Sequence, residues 1–141
     1  MAIKPRRIKA NTTTDFLGSW KVMNNTGSDI EKGKIVYVNG VNSSGAFLTV
    51  TPFNTPTTQV NAPKFVTGAK ISANGGTGDV RQFYIDTNVN VGAAVLDAVV
   101  YADSAGGWTV TGPGGSPTKV GVVVKTGATG TVLLAPPKGA A

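Results

Sequence analysis

The chain contains no cysteine and no histidine. Without cysteine there is no disulfide framework, no thiolate metal site and no thiol nucleophile. Without histidine the commonest general base and the commonest metal-binding imidazole are both missing. Charge is scarce: Asp, Glu, Lys and Arg make up 14% of the residues, against about 25% in typical soluble domains. No apolar run approaches the roughly 20 residues that a membrane-spanning helix needs. The first residues carry charge with no hydrophobic stretch behind it, which is not the pattern of a secretory signal. These absences lead us to expect a protein that is not an enzyme, holds no cofactor or metal, and has no membrane partner.

What is present is the vocabulary of strands and tight turns. The 141 residues include 19 glycines and 8 prolines, with abundant Thr, Val, Ala and Asn. A chain of this size buries roughly 68–70% of its unfolded surface, enough for a core without staples.

One pattern occurs twice. Residues 35–52 read IVYVNGVNSSGAFLTVTP and residues 99–113 read VVYADSAGGWTVTGP. Ile35, Val36 and Tyr37 match Val99, Val100 and Tyr101, while Phe47 matches Trp108. Thr49, Val50 and Thr51 match Thr109, Val110 and Thr111. A weaker echo follows in Lys64 to Lys70 (KFVTGAK) and Lys119 to Lys125 (KVGVVVK). A repeated strand–turn–strand unit points to an all-β scaffold.

Glycine-rich punctuation separates eight candidate strands, at Ile35–Val38, Phe47–Thr51, Lys64–Ile71, Val80–Ile85, Ala98–Ala102, Trp108–Thr111, Val120–Lys125 and Thr131–Ala135. Asp15 to Leu17 and Trp20 to Met23 are where the folded body begins. Turns are expected at Asn24–Ser28 and Asn39–Gly40, and a loop at Asn74–Gly78. Val91–Leu96 reads equally as a helical turn or a short strand. No segment sustains a 3.6-residue period. The fold class is therefore all-β: one small β-barrel or β-tulip/sandwich of about eight short strands at residues 15–141, behind an extended arm at 1–14.

Several constellations are weak as chemistry. Asp86-Thr87-Asn88-Val89-Asn90 with Asp97 approximates a calcium loop, but its glycine, Gly92, falls one place late and Asp97 stands where glutamate is needed. Gly40 to Gly45 has the glycine spacing of a phosphate loop but no lysine after it. The seven carboxylates, Asp15, Asp29, Glu31, Asp79, Asp86, Asp97 and Asp103, are scattered, mostly beside turn residues. Two of them meeting in a cleft would suit a hydrolase. The aromatics read mainly as core, although adjacent Phe83 and Tyr84 face opposite sides of any strand that holds them.

The net charge of +6 is unevenly placed. Lys4, Arg6, Arg7 and Lys9 crowd the first ten residues with no acid among them, and Ile8 sits in their midst. Pro5 favours extended geometry for its neighbour, and 14 extended residues reach about 46–50 Å. Exposed charges act over about 8 Å at physiological salt, so the arm must lie against its partner. An acidic protein surface suits it. Four cations without interleaved aromatics give only weak, salt-sensitive nucleic-acid affinity.

Residues 98–136 resemble the C-terminal part of small capsid decoration (cement) proteins of tailed bacteriophages, of the β-barrel head-decoration or head-fibre type. The resemblance lies in Val100-Tyr101, Gly107-Trp108-Thr109-Val110-Thr111, Gly121-Val122-Val123-Val124 and Gly127 to Leu134. Residues 24–38 also resemble the early barrel strand of that family. The resemblance implies a structural virion protein, made in the host cytoplasm, that binds the outer capsid surface and bridges capsid subunits. It implies the major capsid protein as partner and a homo-oligomer, with a trimer favoured, and no specific nucleic acid. It supplies no catalytic residues. The capsid-binding arm would be Lys4, Arg6, Arg7, Ile8 and Lys9. The alternative is a head-fibre or tail-associated module that binds host-surface glycans through exposed aromatics and amides.

Overall fold

The computed structural model describes residues 19–53, 62–112 and 118–137. It shows ten strands: β1 Ser19–Asn24, β2 Ile35–Val41, β3 Leu48–Pro52, β4 Lys64–Thr67, β5 Gly76–Arg81, β6 Tyr84–Val89, β7 Val99–Ala102, β8 Trp108–Thr109, β9 Lys119–Lys125 and β10 Gly130–Leu134. A 3₁₀ turn at Ser104–Gly106 joins β7 to β8. The all-β expectation holds, in the form of one closed five-stranded barrel and one curled five-stranded sheet.

The barrel closes in the order β1-β3-β2-β4-β5 and back to β1. The second sheet runs β6-β10-β9-β7-β8. Counting five strands on from each barrel strand reproduces that order, so the two halves share one topology. The doubled motif seen in the sequence is thus part of a doubled five-stranded unit. Tyr37 pairs with Thr51 on one side and Lys64 on the other. Tyr101 pairs with Thr109 and Lys119. The Lys64/Lys119 echo is therefore structural. The hairpin registers differ by two residues, because the tight 3₁₀ turn replaces the longer loop between β2 and β3.

The halves differ at one seam. In the barrel, β1 and β3 pair in parallel through Met23↔Thr49 and Asn24↔Val50. Their counterparts β6 and β8 share no ladder and form the two edges of the second sheet. There the Trp108 indole Nε1 donates to Asp86 Oδ2 at 3.1 Å.

Alternation along the strands builds two cores. Val22, Ile30, Val36, Val50, Phe65, Ile71 and Val80 fill the barrel. Ile35 and Val66, their neighbours in sequence, point out of the barrel wall into a second core with Phe53, Val100, Val120, Val123, Val132 and Leu134. This explains why β4 is buried at all four positions: it lies between the barrel interior and the second sheet. Each such valine or isoleucine contributes roughly 1.5–3 kcal/mol by leaving water. Lys64 shares this burial. Its Nζ donates to Ala62 O at 2.9 Å and lies 5.5 Å from the Phe53 ring centroid. Burial lowers its pKa from the ordinary 10.5.

Gly121 is a point of close approach. A Cβ there would stand 2.1 Å from Leu133 O, so only glycine lets β10 pair at this register. β9 is irregular on both sides, with register shifts at Val100/Tyr101 and Thr131/Val132.

Several boundaries depart from the sequence reading. The expected strand Val80–Ile85 is two strands, broken at Gln82-Phe83 where the chain leaves the barrel for the second sheet. Gly76 to Gly78, expected in a loop, pair with β1. Gly78 is suited to that wall because a Cβ would meet the Ile71 side chain at 2.8 Å. Ile71 lies outside β4 and returns in an isolated bridge to Ile30. Asn39-Gly40 lies inside β2 at a register shift, and the turn comes later. There Asn42 Oδ1 accepts from Phe47 N at 3.1 Å. Asp86 to Val89 belong to β6. Val91–Leu96 is neither helix nor strand.

Candidate functional site

The sequence-derived arm residues Lys4, Arg6, Arg7, Ile8 and Lys9, and the whole arm 1–14, lie outside the described residues. What is described is where the chain enters the barrel. Ser19 opens β1 opposite Arg81, the last residue of β5. Two residues beyond Arg81 stands Phe83, and β6 begins at Tyr84. Beside this root a cleft of about 440 Å³ is lined by Lys32, Gly68, Arg81, Phe83, Tyr84, Ile85 and Leu133.

Each element of the cleft has a local cause. Thr67 is fully buried and holds the Glu31–Lys34 turn. Its hydroxyl donates to Glu31 O at 2.7 Å and accepts from Lys34 N at 2.9 Å. Gly33 N donates to Thr67 O at 2.9 Å, which places Lys32 at the rim. Gly68 leaves room for Arg81: a Cβ there would stand 2.6 Å from Arg81 Nε and 3.1 Å from Asp79 Oδ2. Arg81 pairs with Asp79 at 3.8 Å, with both side chains well exposed. Such a pair adds little stability and leaves guanidinium donors directed to solvent. Phe83 is 56% exposed and Ile85 64%. The cleft thus presents two cations beside apolar surface, a combination that accepts a carboxylate-bearing, partly apolar segment.

Trp20 also belongs to this end of the molecule. Its ring is tilted against that of Phe65, with centroids 5.2 Å apart, and it remains 39% exposed. The expectation that aromatics are mainly core holds for Phe53 and Phe65 and fails for Trp20, and of the adjacent pair Phe83 and Tyr84 it is Phe83 that is exposed. The opposite mouth is closed by Asn24, fully buried. Its amide donates to Ser28 O and Ile71 O, and its Oδ1 accepts from Thr26 N and Oγ1. This is the expected turn at Asn24–Ser28.

The other sequence constellations are not brought together. Asp86 holds Trp108, and Asn90 Oδ1 accepts from Gly92 N at 2.8 Å. Among the described residues no group of three or more acidic side chains is placed to hold a metal. Gly40 lies in β2 and Gly45 in the β2–β3 loop, where Gly45 N donates to Asn42 O. Among the described residues no carboxylate lines the cleft. Sequence reasoning missed Lys32, Arg81, Ile85 and Leu133 as neighbours; only the adjacent Phe83 and Tyr84 gave a signal.

No protein-family model, no curated protein and no solved structure matches this chain.

Proposed function

We propose that the protein is a structural component of a virion, a decoration protein on the outer surface of a phage capsid, with its N-terminal arm bridging capsid subunits. The observation that carries this reading is the root of the arm. The most basic segment of the chain precedes Ser19 in the sequence, and Ser19 opens β1 opposite Arg81, next to a cleft of cations and exposed apolar side chains. Ser19 and the cleft therefore share one end of the body, and an arm reaching an acidic surface from Ser19 would bring that surface to the cleft. The body supports the same reading: two apolar cores hold the barrel and the second sheet together. Many copies on one lattice make weak single contacts effective.

Trp20 and Phe83, the large exposed aromatics among the described residues, stand at the Ser19 end of the body. A distal glycan platform would need them at the other end, so the decoration reading is preferred.

The test is truncation. A chain lacking residues 1–14 remains folded and no longer co-sediments with cognate capsids. Equal decoration by truncated and intact chains refutes the role of the arm.

A further inference from the structure

The doubled unit exposes on its second half a surface that it covers on its first. In the barrel, the outward positions Ile35, Tyr37, Lys64 and Val66 lie side by side, paired as Ile35↔Val66 and Tyr37↔Lys64. Ile35, Lys64 and Val66 are fully buried. Phe53 stands edge-on to Tyr37, with centroids 6.0 Å apart, and beneath the Lys64 ammonium. In the second sheet the same positions are Val99, Tyr101, Lys119 and Val122, paired as Val99↔Val122 and Tyr101↔Lys119. Here Lys119 is exposed and the other three are half-buried. The apolar row continues across the sheet, since Val122 pairs with Leu133 and Leu133 with Ile85. The first set has an aromatic cover one residue after Pro52. Thr109, the partner of Tyr101, takes the place of Thr51, the partner of Tyr37, so the position matching Phe53 is Thr111 and the second set has no such aromatic there.

The charge on this face has one sign. Lys125 pairs with Thr131 and shares the outward side with Lys119. Among the described residues neither lysine makes an ion pair, and no strand position on this side is acidic.

We propose that this outward face, built on Val99, Tyr101, Lys119, Val122, Leu133 and Ile85, docks a protein segment that presents an aromatic side chain flanked by carboxylates. The aromatic ring takes beside Tyr101 and Lys119 the place that Phe53 holds beside Tyr37 and Lys64. The carboxylates meet Lys119 and Lys125. A second copy of this chain is disfavoured, because it would bring the same lysines, with Lys32 and Arg81, to a face that is already cationic. The inference does not depend on the capsid reading; it assigns a second contact surface, apart from the arm.

The test uses the full chain and the synthetic peptide acetyl-Glu-Phe-Glu-amide, followed by NMR chemical shifts at low salt. We expect saturable shifts at Tyr101, Lys119 and Val122, lost when alanine replaces the phenylalanine of the peptide. Lys119→Glu, at an exposed position, weakens binding by about fivefold, the ceiling for one exposed ion pair. Tyr101→Ala abolishes the aromatic contribution. Absence of shifts on this face, shifts confined to the Lys32/Arg81 cleft, or unchanged binding by Lys119→Glu would each overturn the proposal. So would concentration-dependent shifts at Val122 without peptide, which would identify a second copy as the occupant.

Discussion

Trp108 donates its indole N–H to Asp86 at 3.1 Å, across the one seam where the second sheet lacks the strand pairing that closes the barrel. One side-chain bond stands where the first half uses a parallel ladder. The bond has a charged acceptor, and such bonds contribute about 1.5–3 kcal/mol. Trp108→Phe keeps most of the ring and removes the donor. We expect a loss of stability within that range and faster amide exchange in β8, while β1 to β5 stay protected. Asp86→Asn retains an acceptor oxygen and costs less. Hydrogen exchange on the variants checks both.

Lys64 gives the stability a pH dependence of known sign. Burial lowers its pKa from 10.5, so above the folded pKa the unfolded chain binds more protons than the folded one. Stability then rises with pH, from the lowered folded value up to 10.5, and is flat below it. Lys64→Met removes this slope and leaves the fold intact. Denaturant titrations of both proteins between neutral pH and pH 10.5 measure the difference; equal slopes would contradict the assignment.

Gly121 and Gly68 are both sites of close approach, with opposite consequences. At Gly121 the obstacle is the backbone carbonyl of Leu133, which cannot move without breaking the β9–β10 ladder. Gly121→Ala is expected to destabilise by several kcal/mol, in the range of severe core overpacking. At Gly68 the obstacle is the Arg81 side chain, which can swing away. Gly68→Ala is expected to leave the melting temperature nearly unchanged while it weakens the binding of acidic partners at the cleft.

Asp29 contributes to the acid limb. Ala73 N donates to its carboxylate at 2.9 Å and Lys70 lies 3.3 Å away; both hold its pKa below 3.8. The sign is opposite to that of Lys64. The contribution is present above the unfolded value and is lost as the pH falls through the lower folded one. An NMR titration should show Asp29 titrating later, on acidification, than an unstructured aspartate.

The sequence carried the β class because β-branched pairs and Thr-Val-Thr runs recur between glycines, and the Tyr37/Tyr101 match led directly to the doubled unit. The Lys64/Lys119 echo was visible as a motif, but not the burial of one lysine and the exposure of the other. That difference arises because the second half covers the first, while among the described residues no counterpart of Phe53 covers Lys119. Asn39-Gly40 misled because a dipeptide tolerant of positive φ serves a bulge as well as a turn. The cleft was invisible because Lys32, Gly68, Arg81 and Leu133 are distant in sequence and meet only where barrel and sheet adjoin. The arm was legible as charge and lies outside the described residues.

The most direct test of the account is to locate the chain on an assembled particle by electron microscopy. The account predicts density on the outer shell, with the Ser19 and Arg81 end of the barrel toward the capsid and arm density along subunit seams. Density confined to the tail or the shell interior, or a body bound by its opposite end, would contradict it.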